Sequence, residues 1–223
     1  MDPALGIALL WVAFTATHLG MSSLRLRPRL TGAMGEGAFI AVYSIVALAI
    51  FVPLIRLYFT SKHGGEMLWY LPRGPLFSGV VYAGMAIAFV LLVSSFLRPS
   101  PGGVVPGDTT PRGVYRITRH PMVMAFVVFA LVHLLPNGST ADVAFFGGFA
   151  LFALVGAAHQ DQRKLATGPA GYRNFYESTP FLPFTGRDTL QGLRELSPIA
   201  ILGGLLLTLT IWYFHSTWFG GNP

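Results

Sequence analysis

Long apolar blocks constrain this chain more than any other feature of its sequence. Roughly 18 or more apolar residues in a row suffice for one helix to cross a bilayer. Only 11% of the 223 residues are charged, whereas a soluble domain carries roughly 25%. The pattern predicts an all-α, polytopic transmembrane helical bundle of about six spans, with five to seven possible, forming a single domain over residues 1–223. The six blocks run from about Ala4 to Leu19, Ala38 to Phe59, Pro75 to Leu97, Pro121 to Leu135, Ala141 to Ala158 and Pro198 to Phe214.

Basic residues are distributed unevenly between the loops, and this bias predicts an orientation. Of the 15 Lys and Arg residues, 12 lie in the loops that follow the first, third and fifth blocks. Only Lys62 and Arg73 lie in the other loops. Because basic loops stay in the cytoplasm, both termini are expected outside. The cytoplasmic loops then cover about residues 98–120 and 159–197, and their charge is expected to meet anionic lipid headgroups, not nucleic acid.

The first block is predicted to be a membrane helix and not a signal peptide. The chain opens Met1-Asp2-Pro3 without a basic residue, and further blocks follow directly. The sequence contains no cysteine, which excludes disulfides, iron–sulfur clusters and thiolate metal sites. Any metal or haem would therefore depend on other ligands, and histidine is the foremost of them.

Ionisable groups at the ends of the blocks are the candidates for chemistry, because polar groups at membrane depth are costly and often functional. His133 lies toward the outer end of the fourth block, while His63 and His215 are interpreted as ordinary interfacial residues. Three further histidines lie at the predicted cytoplasmic ends: His18, His120 and His159.

The stretch from Tyr115 to Pro121 is the most informative local motif. Pro121 suits the first position of a helix, where its missing N–H costs nothing. Arg119 and His120 then lie beside a helix N-terminus, which favours anions. A guanidinium, an imidazole and free backbone donors could converge there on a carboxylate or phosphate. The residues alone are equally consistent with a helix start carrying topology-setting arginines.

Arg119-His120-Pro121 before an apolar helix is similar to a motif of membrane methyltransferases of the isoprenylcysteine and phosphatidylethanolamine type. Those enzymes continue with paired glutamates and a Gly-x-x-Tyr-x-x-Tyr pattern. Here the pair is replaced by Gln160-Asp161, and Tyr172 and Tyr176 follow. The resemblance implies an S-adenosylmethionine site and a lipophilic or small thiol substrate, although the missing glutamates argue against methyl transfer. The residues that it marks are Arg119, His120, Asp161 and Arg163.

A second resemblance extends over nearly the whole chain. The sequence resembles the NnrU family, named for a bacterial membrane protein encoded with denitrification genes, which implies a multi-pass protein of the bacterial cytoplasmic (inner) membrane. The features that carry it, in chain order, are His18 with Ser22 and Arg25, Gly35-Glu36, Tyr43-Ser44, the run from Gly113 to Pro121, His133-Leu134-Leu135, Asn137-Gly138, the stretch from Gly156 to Lys164, and Pro183.

The NnrU family includes a zeta-carotene isomerase that binds haem b through two histidines. The resemblance therefore implies haem iron ligands at His18 and His133, possible cofactor contacts at Arg119 and His120, and an isomerase-like or denitrification-accessory role. His120 and His133 cannot share one small site, because 13 helical residues separate them by about 20 Å.

The residues leave two choices open. His18 with His159, both at predicted cytoplasmic ends, is an alternative to the family pairing of His18 with His133. The chain could also be a cofactor-free accessory or transport protein. The paired broken helices or repeats expected of a transporter are not visible in the sequence.

Overall fold

The computed structural model describes residues 2–72, 74–103 and 107–220. Arg73 and residues 104–106, which belong to predicted loops, lie outside the described residues.

The all-α prediction is confirmed, since the described ranges contain no strand and only one isolated bridge, between Met67 and Ser139. The helices are α1 Pro3–Met21, α2 Leu26–Met34, α3 Glu36–Ser61, α4 Pro75–Leu97, α5 Val114–Ile117, α6 Pro121–Leu134, α7 Thr140–Asp142, α8 Gly148–Thr167, α9 Tyr172–Ser178, α10 Thr189–Arg194 and α11 Pro198–Phe219, with a π-helical turn over Val143–Gly147.

Each of the six apolar blocks forms a helix. Five segments are long and apolar enough to cross a membrane, namely α1, α3, α4, the continuous stretch Thr140–Thr167, and α11. The sixth, α6, is apolar but has only 14 residues, a length of about 21 Å against a hydrocarbon core of about 30 Å. Large apolar side chains on the long helices are exposed, for example Leu76 at 84% and Ile199 at 69%. Such surfaces are compatible with lipid, and the orientation across the bilayer stays a prediction.

Proline marks the start of four of these helices. Pro3, Pro75 and Pro198 occupy the first turn of α1, α4 and α11, and Pro121 is the first residue of α6. Proline is well suited to this position because the first helical N–H has no partner within the helix. At α1 the carboxylate of Asp2 also accepts a hydrogen bond from the N–H of Ala4 at 3.0 Å, which caps the helix.

The first compact unit comprises Met1–Pro72 and His133–Arg163. In it, α1 packs along α3 and against the π-helical turn. Trp11 lies at the centre of this packing, because its indole N–H donates to the carbonyl of Phe145 at 3.1 Å and its ring stacks on Phe152 at 5.8 Å. Gly148 makes room for it, since a Cβ there would lie 2.3 Å from the Trp11 ring.

The second compact unit comprises Arg73–Val132 and Lys164–Pro223. Its two long helices, α4 and α11, pack along each other, and α5 packs against α10. Gly204 allows the close approach of α11 to α4, since a Cβ there would lie 2.6 Å from the Val90 side chain. Small residues have this effect in membrane helices, where backbones must approach closely to gain packing contacts.

The polar loops contain more regular structure than their composition indicates. The segment that contains Tyr172 and Tyr176 forms the short helix α9. In the described part of the loop before α6, only α5 is helical. The basic linker after α1 forms an additional short helix, α2, in which Arg27 pairs with Glu36 at the start of α3.

Candidate functional site

His18 lies near the end of α1 in a cage of aromatic rings. Its ring centroid is 5.1 Å from Phe14, 4.6 Å from Tyr43 and 5.4 Å from Phe152. Its Nδ1 atom is buried and has no hydrogen-bond partner among the described residues. Leaving a buried polar atom unsatisfied costs about 1–3 kcal/mol. A nitrogen held in this way is suited to binding a group that the protein itself does not supply.

Polar and cationic groups lie close to this cage. His159 is near enough to His18 to interact with it electrostatically, and Arg163 interacts in the same way with His159 and Tyr43. Arg27 also lies within electrostatic range of Tyr43. The alternative histidine pair is therefore brought together in the first unit. The two arginines could provide counter-charges for carboxylates of a bound molecule.

His133 lies near the end of α6 and also belongs to the first unit. Its ring stacks on Phe146 at 5.0 Å, whereas His18 contacts Phe152. These contact points, residues 146 and 152, lie six residues apart along the π-helical turn and α8, or about 9 Å. His18 and His133 therefore contact the same helical stretch of the first unit, at two different points along it.

A haem would need few donors from the protein, because the porphyrin supplies most of the iron ligands, and histidine is a common protein donor. His18 and His133 both belong to the first unit. Among the described residues there is no group of three or more His, Cys, Asp and Glu side chains that could hold a metal ion. Nδ1 of His18 is a buried ring nitrogen without a hydrogen-bond partner among the described residues, a property that it shares with Nδ1 of His215 on α11.

Arg119 and His120 lie in the second unit, at the turn between α5 and α6, where they are only 9% and 5% exposed. The Arg119 guanidinium lies 4.2 Å from the Tyr176 ring and 5.1 Å from the Phe181 ring. Its Nη1 donates to the carbonyl of Thr179 at 2.8 Å. Arg119 therefore holds α9 and the segment after it against the start of α6, because its guanidinium stacks on two aromatic rings and donates a hydrogen bond.

The other two predicted catalytic residues lie on α8, in the first unit. Asp161 is 4% exposed, and Arg163 lies two residues further along the same helix. The Tyr-containing segment that the methyltransferase resemblance marks does contact Arg119, through Tyr176. The four residues predicted to form one catalytic group thus belong to two different compact units.

A family model described as NnrU protein matches residues 6–223. The chain belongs to the NnrU family. Two curated relatives of this NnrU chain are both named 15-cis-zeta-carotene isomerase, chloroplastic. The one from Arabidopsis thaliana is 25% identical over 229 residues, which cover 96% of this chain and 60% of the relative. The one from Zea mays is 26% identical over 221 residues, which cover 93% and 58%.

The NnrU chain therefore spans about 60% of the length of the curated relatives that it matches. No solved structure matches it. The fold and the site geometry of this NnrU protein consequently rest on its own structure.

A buried carboxylate, Asp142, was not among the residues predicted from the sequence of this NnrU protein. Asp142 is fully buried, and its Oδ1 accepts a hydrogen bond from the Tyr58 hydroxyl at 2.9 Å. Its Oδ2 accepts from the Ser139 hydroxyl at 2.7 Å and lies 3.2 Å from Nδ1 of His63. His63 was interpreted as merely interfacial, but it is part of this network. The available signal was the Ser-x-x-Asp spacing before an apolar run, a form of capping box.

Proposed function

We propose that this chain is a membrane isomerase of a long polyene and that it holds haem b between His18 and His133. The observation that carries the proposal is the buried Nδ1 of His18, which lacks a hydrogen-bond partner among the described residues and lies in an aromatic cage. Membership of the NnrU family and the name shared by the two curated relatives support the isomerase assignment.

The residues of the first unit would have separate tasks. Phe14, Tyr43 and Phe152 fix the plane of the His18 imidazole and keep water away from it. Arg163 and Arg27, which also pairs with Glu36, lie within electrostatic range of Tyr43 and would provide positive charge for the two haem carboxylates. Haem iron, when bound, supplies one-electron chemistry that the side chains cannot provide. Isomerisation of a double bond adds and removes no atoms, so the protein has only to hold the polyene in place while the bond rotates.

The substrate would come from the lipid phase. A polyene is insoluble in water, and the long helices expose large apolar side chains such as Leu76 and Ile199. We expect the protein in a bacterial cytoplasmic membrane with both termini outside. Because the chain has no cysteine, single cysteines can be introduced and labelled with an impermeant reagent in intact cells. Label at Lys62→Cys and not at Ser100→Cys supports this orientation, and the reverse pattern contradicts it.

The visible spectrum tests the cofactor. Protein purified in detergent from haem-replete cells should show a stoichiometric Soret band, and the band should be lost in His18→Ala and His133→Ala. His215→Ala serves as the control, since it removes a histidine from α11 in the second unit. Loss of the band in His159→Ala, with His133→Ala unaffected, would replace the proposed pair by His18 and His159.

Two other results would overturn the cofactor or the activity. A colourless protein that binds S-adenosylmethionine, and loses this binding in His120→Ala, would be a membrane methyltransferase. For the activity itself, reconstituted protein should isomerise 15-cis-zeta-carotene, as followed by chromatography of the isomers. A haem-loaded protein without this activity would instead fit a denitrification-accessory role.

A further inference from the structure

The second unit contains an apolar cleft of about 170 Å³. One wall is formed by Ile87, Val90 and Leu91 of α4. The opposite side is formed by Ile117 of α5 together with Leu193 and Leu196, at and just after α10. All eight side chains that line the cleft are apolar. The cleft therefore suits an apolar group better than a polar metabolite, which would lose hydrogen bonds to water there.

Close backbone packing gives the cleft its shape. Gly192 of α10 lies against α5, since a Cβ there would be 2.8 Å from the Cβ of Arg116 and 2.9 Å from the Gly113 carbonyl. Arg116 pairs with Asp188 at 2.9 Å and with Glu195 at 3.2 Å. These contacts hold α10 in place without help from the cleft, so filling the cleft is not needed to fold this segment.

Phe184 forms the rim of the cleft in an unusual backbone conformation. Its φ is +65°, which side chains other than glycine rarely adopt, and its N–H donates to the Ile117 carbonyl at 3.1 Å. The strained backbone places an aromatic ring that is 46% exposed beside an apolar cleft. Strain of this kind is typical of positions that clamp a ligand.

Positive charge lies next to the cleft in the sequence. Arg187 and Arg194 are exposed, and neither forms an ion pair with any residue that the structure describes. The neighbouring acidic residues, Asp188 and Glu195, are both paired with Arg116. The N–H of Gly113, at 2.7 Å, is the main cause that holds the pKa of Glu195 below its usual value. The local excess of positive charge is therefore carried by two free arginines.

We infer that the cleft binds the upper part of one acyl chain of an anionic phospholipid, and that Arg187 and Arg194 hold its phosphate. An empty apolar cleft would forfeit dispersion contacts along its whole wall. Both α4 and α11 are long and apolar enough to span a membrane, so lipid chains are the apolar molecules at hand. Anionic headgroups are attracted to basic residues next to a membrane segment. This site is independent of the proposed haem site.

A tryptophan reporter tests the inference. Phe184→Trp places an indole at the rim, and the signal of the four native tryptophans is subtracted with the unsubstituted protein. The reporter protein is placed in nanodiscs of phosphatidylcholine that contain a small fraction of lipid with brominated acyl chains. We expect brominated phosphatidylglycerol to quench the introduced indole with an apparent affinity about tenfold tighter than brominated phosphatidylcholine.

Two sets of variants separate the headgroup from the chain. Arg187→Gln with Arg194→Gln should abolish the preference for phosphatidylglycerol, whereas Arg25→Gln with Arg29→Gln, which removes the same charge around α2, should preserve it. Ala86→Leu, which fills the cleft from α4 and keeps both arginines, should weaken quenching by both lipids.

Equal quenching by the two lipids would overturn the inference, because it indicates ordinary annular contact. Absence of quenching by either lipid would also overturn it, because the cleft is then closed to lipid. If Phe184→Trp fails to fold, Leu182→Trp provides a second reporter on the same segment, since Leu182 is 49% exposed.

Discussion

Two buried polar sites in the first unit differ in how their hydrogen bonds are satisfied. Asp142 accepts from Tyr58 and Ser139 and also contacts His63, so each carboxylate oxygen has partners. His18 is surrounded by aromatic rings, and its buried Nδ1 has no partner among the described residues. Both sites bury polar atoms at a cost, and among the described residues the first site recovers that cost through hydrogen bonds whereas Nδ1 of His18 does not. The difference separates a group that holds the fold from a group available for a ligand.

The position of each site agrees with this division. The Asp142 network joins the end of α3 and the following loop to α7, because Tyr58 and His63 flank the end of α3 and Asp142 is the last residue of α7. His18 lies in the middle of a packed aromatic cluster that extends through Phe14 to Trp11. We therefore expect substitutions at the first site to change stability and substitutions at the second to change ligand binding.

The largest expected effect is that of Asp142→Ala. The substitution leaves the hydroxyls of Tyr58 and Ser139 buried without their acceptor, and each buried group without a partner costs about 1–3 kcal/mol. We expect a clear fall of the unfolding midpoint in detergent. Asp108→Ala is the matched control, because Asp108 accepts its hydrogen bonds from Thr110 in an exposed turn. Equal effects of the two substitutions would mean that the buried network does not stabilise the fold.

The helical framework could be read from the sequence because its determinants are local. Apolar runs and initiating prolines are contiguous, and the block Pro75 to Leu97 coincides with α4. The capping box from Ser139 to Asp142 was also local and could have been found. Its partner Tyr58 could not, since it lies 84 residues away in the chain.

The surroundings of His18 likewise depend on residues that are far apart in the sequence. His18 was predicted as a candidate from the sequence, but its surroundings come from three separate helices, since Tyr43 lies on α3 and Phe152 on α8. Nothing in the sequence around His18 indicates that its Nδ1 lacks a partner. That property depends on which side chains of other helices reach the ring, so only the tertiary structure reveals it.

Gly148→Ala tests whether the two sites are independent. A Cβ at Gly148 would lie 2.3 Å from the Trp11 ring, and Trp11 contacts both Phe145 beside Tyr58 and Phe152 beside His18. Overpacking of this kind costs about 1–3 kcal/mol. We expect a lower unfolding midpoint together with an altered Soret band.

The matched control is Gly156→Ala on the same helix. A Cβ at Gly156 meets nothing within 4 Å, and alanine favours a helix over glycine by about 1 kcal/mol. This variant should therefore be as stable as the unsubstituted protein or slightly more so. A normal spectrum in Gly148→Ala would show that displacing Trp11 leaves the His18 cage unaffected.

The two histidines should respond in opposite directions to the same substitution. In haem-free protein, His18→Leu removes an unsatisfied nitrogen and is expected to raise stability by about 1 kcal/mol. His63→Leu removes a partner of Asp142 and is expected to lower stability by a similar amount. Chemical denaturation of the two variants, prepared without haem, measures both values. A loss of stability in His18→Leu would indicate that Nδ1 is already satisfied and would contradict the proposed role of His18.

The smallest expected change in stability is that of Glu195→Gln, which alters an exposed carboxylate that accepts several hydrogen bonds. Glu195 accepts from the Gly113 N–H at 2.7 Å and from Arg116 at 3.2 Å, and these bonds lower its pKa. Because the pKa is lower in the folded state, the stability that Glu195 contributes is present above its unfolded value of about 4.3 and is lost as the pH falls through the folded value. The difference in unfolding midpoint between the unsubstituted protein and Glu195→Gln should thus be small at neutral pH and vanish in acid. Solvent screens this exposed group, so Glu195→Gln should lower the unfolding midpoint much less than Asp142→Ala does. An equally large fall would show that the hydrogen bonds of a carboxylate, and not its burial, determine how much it stabilises the fold.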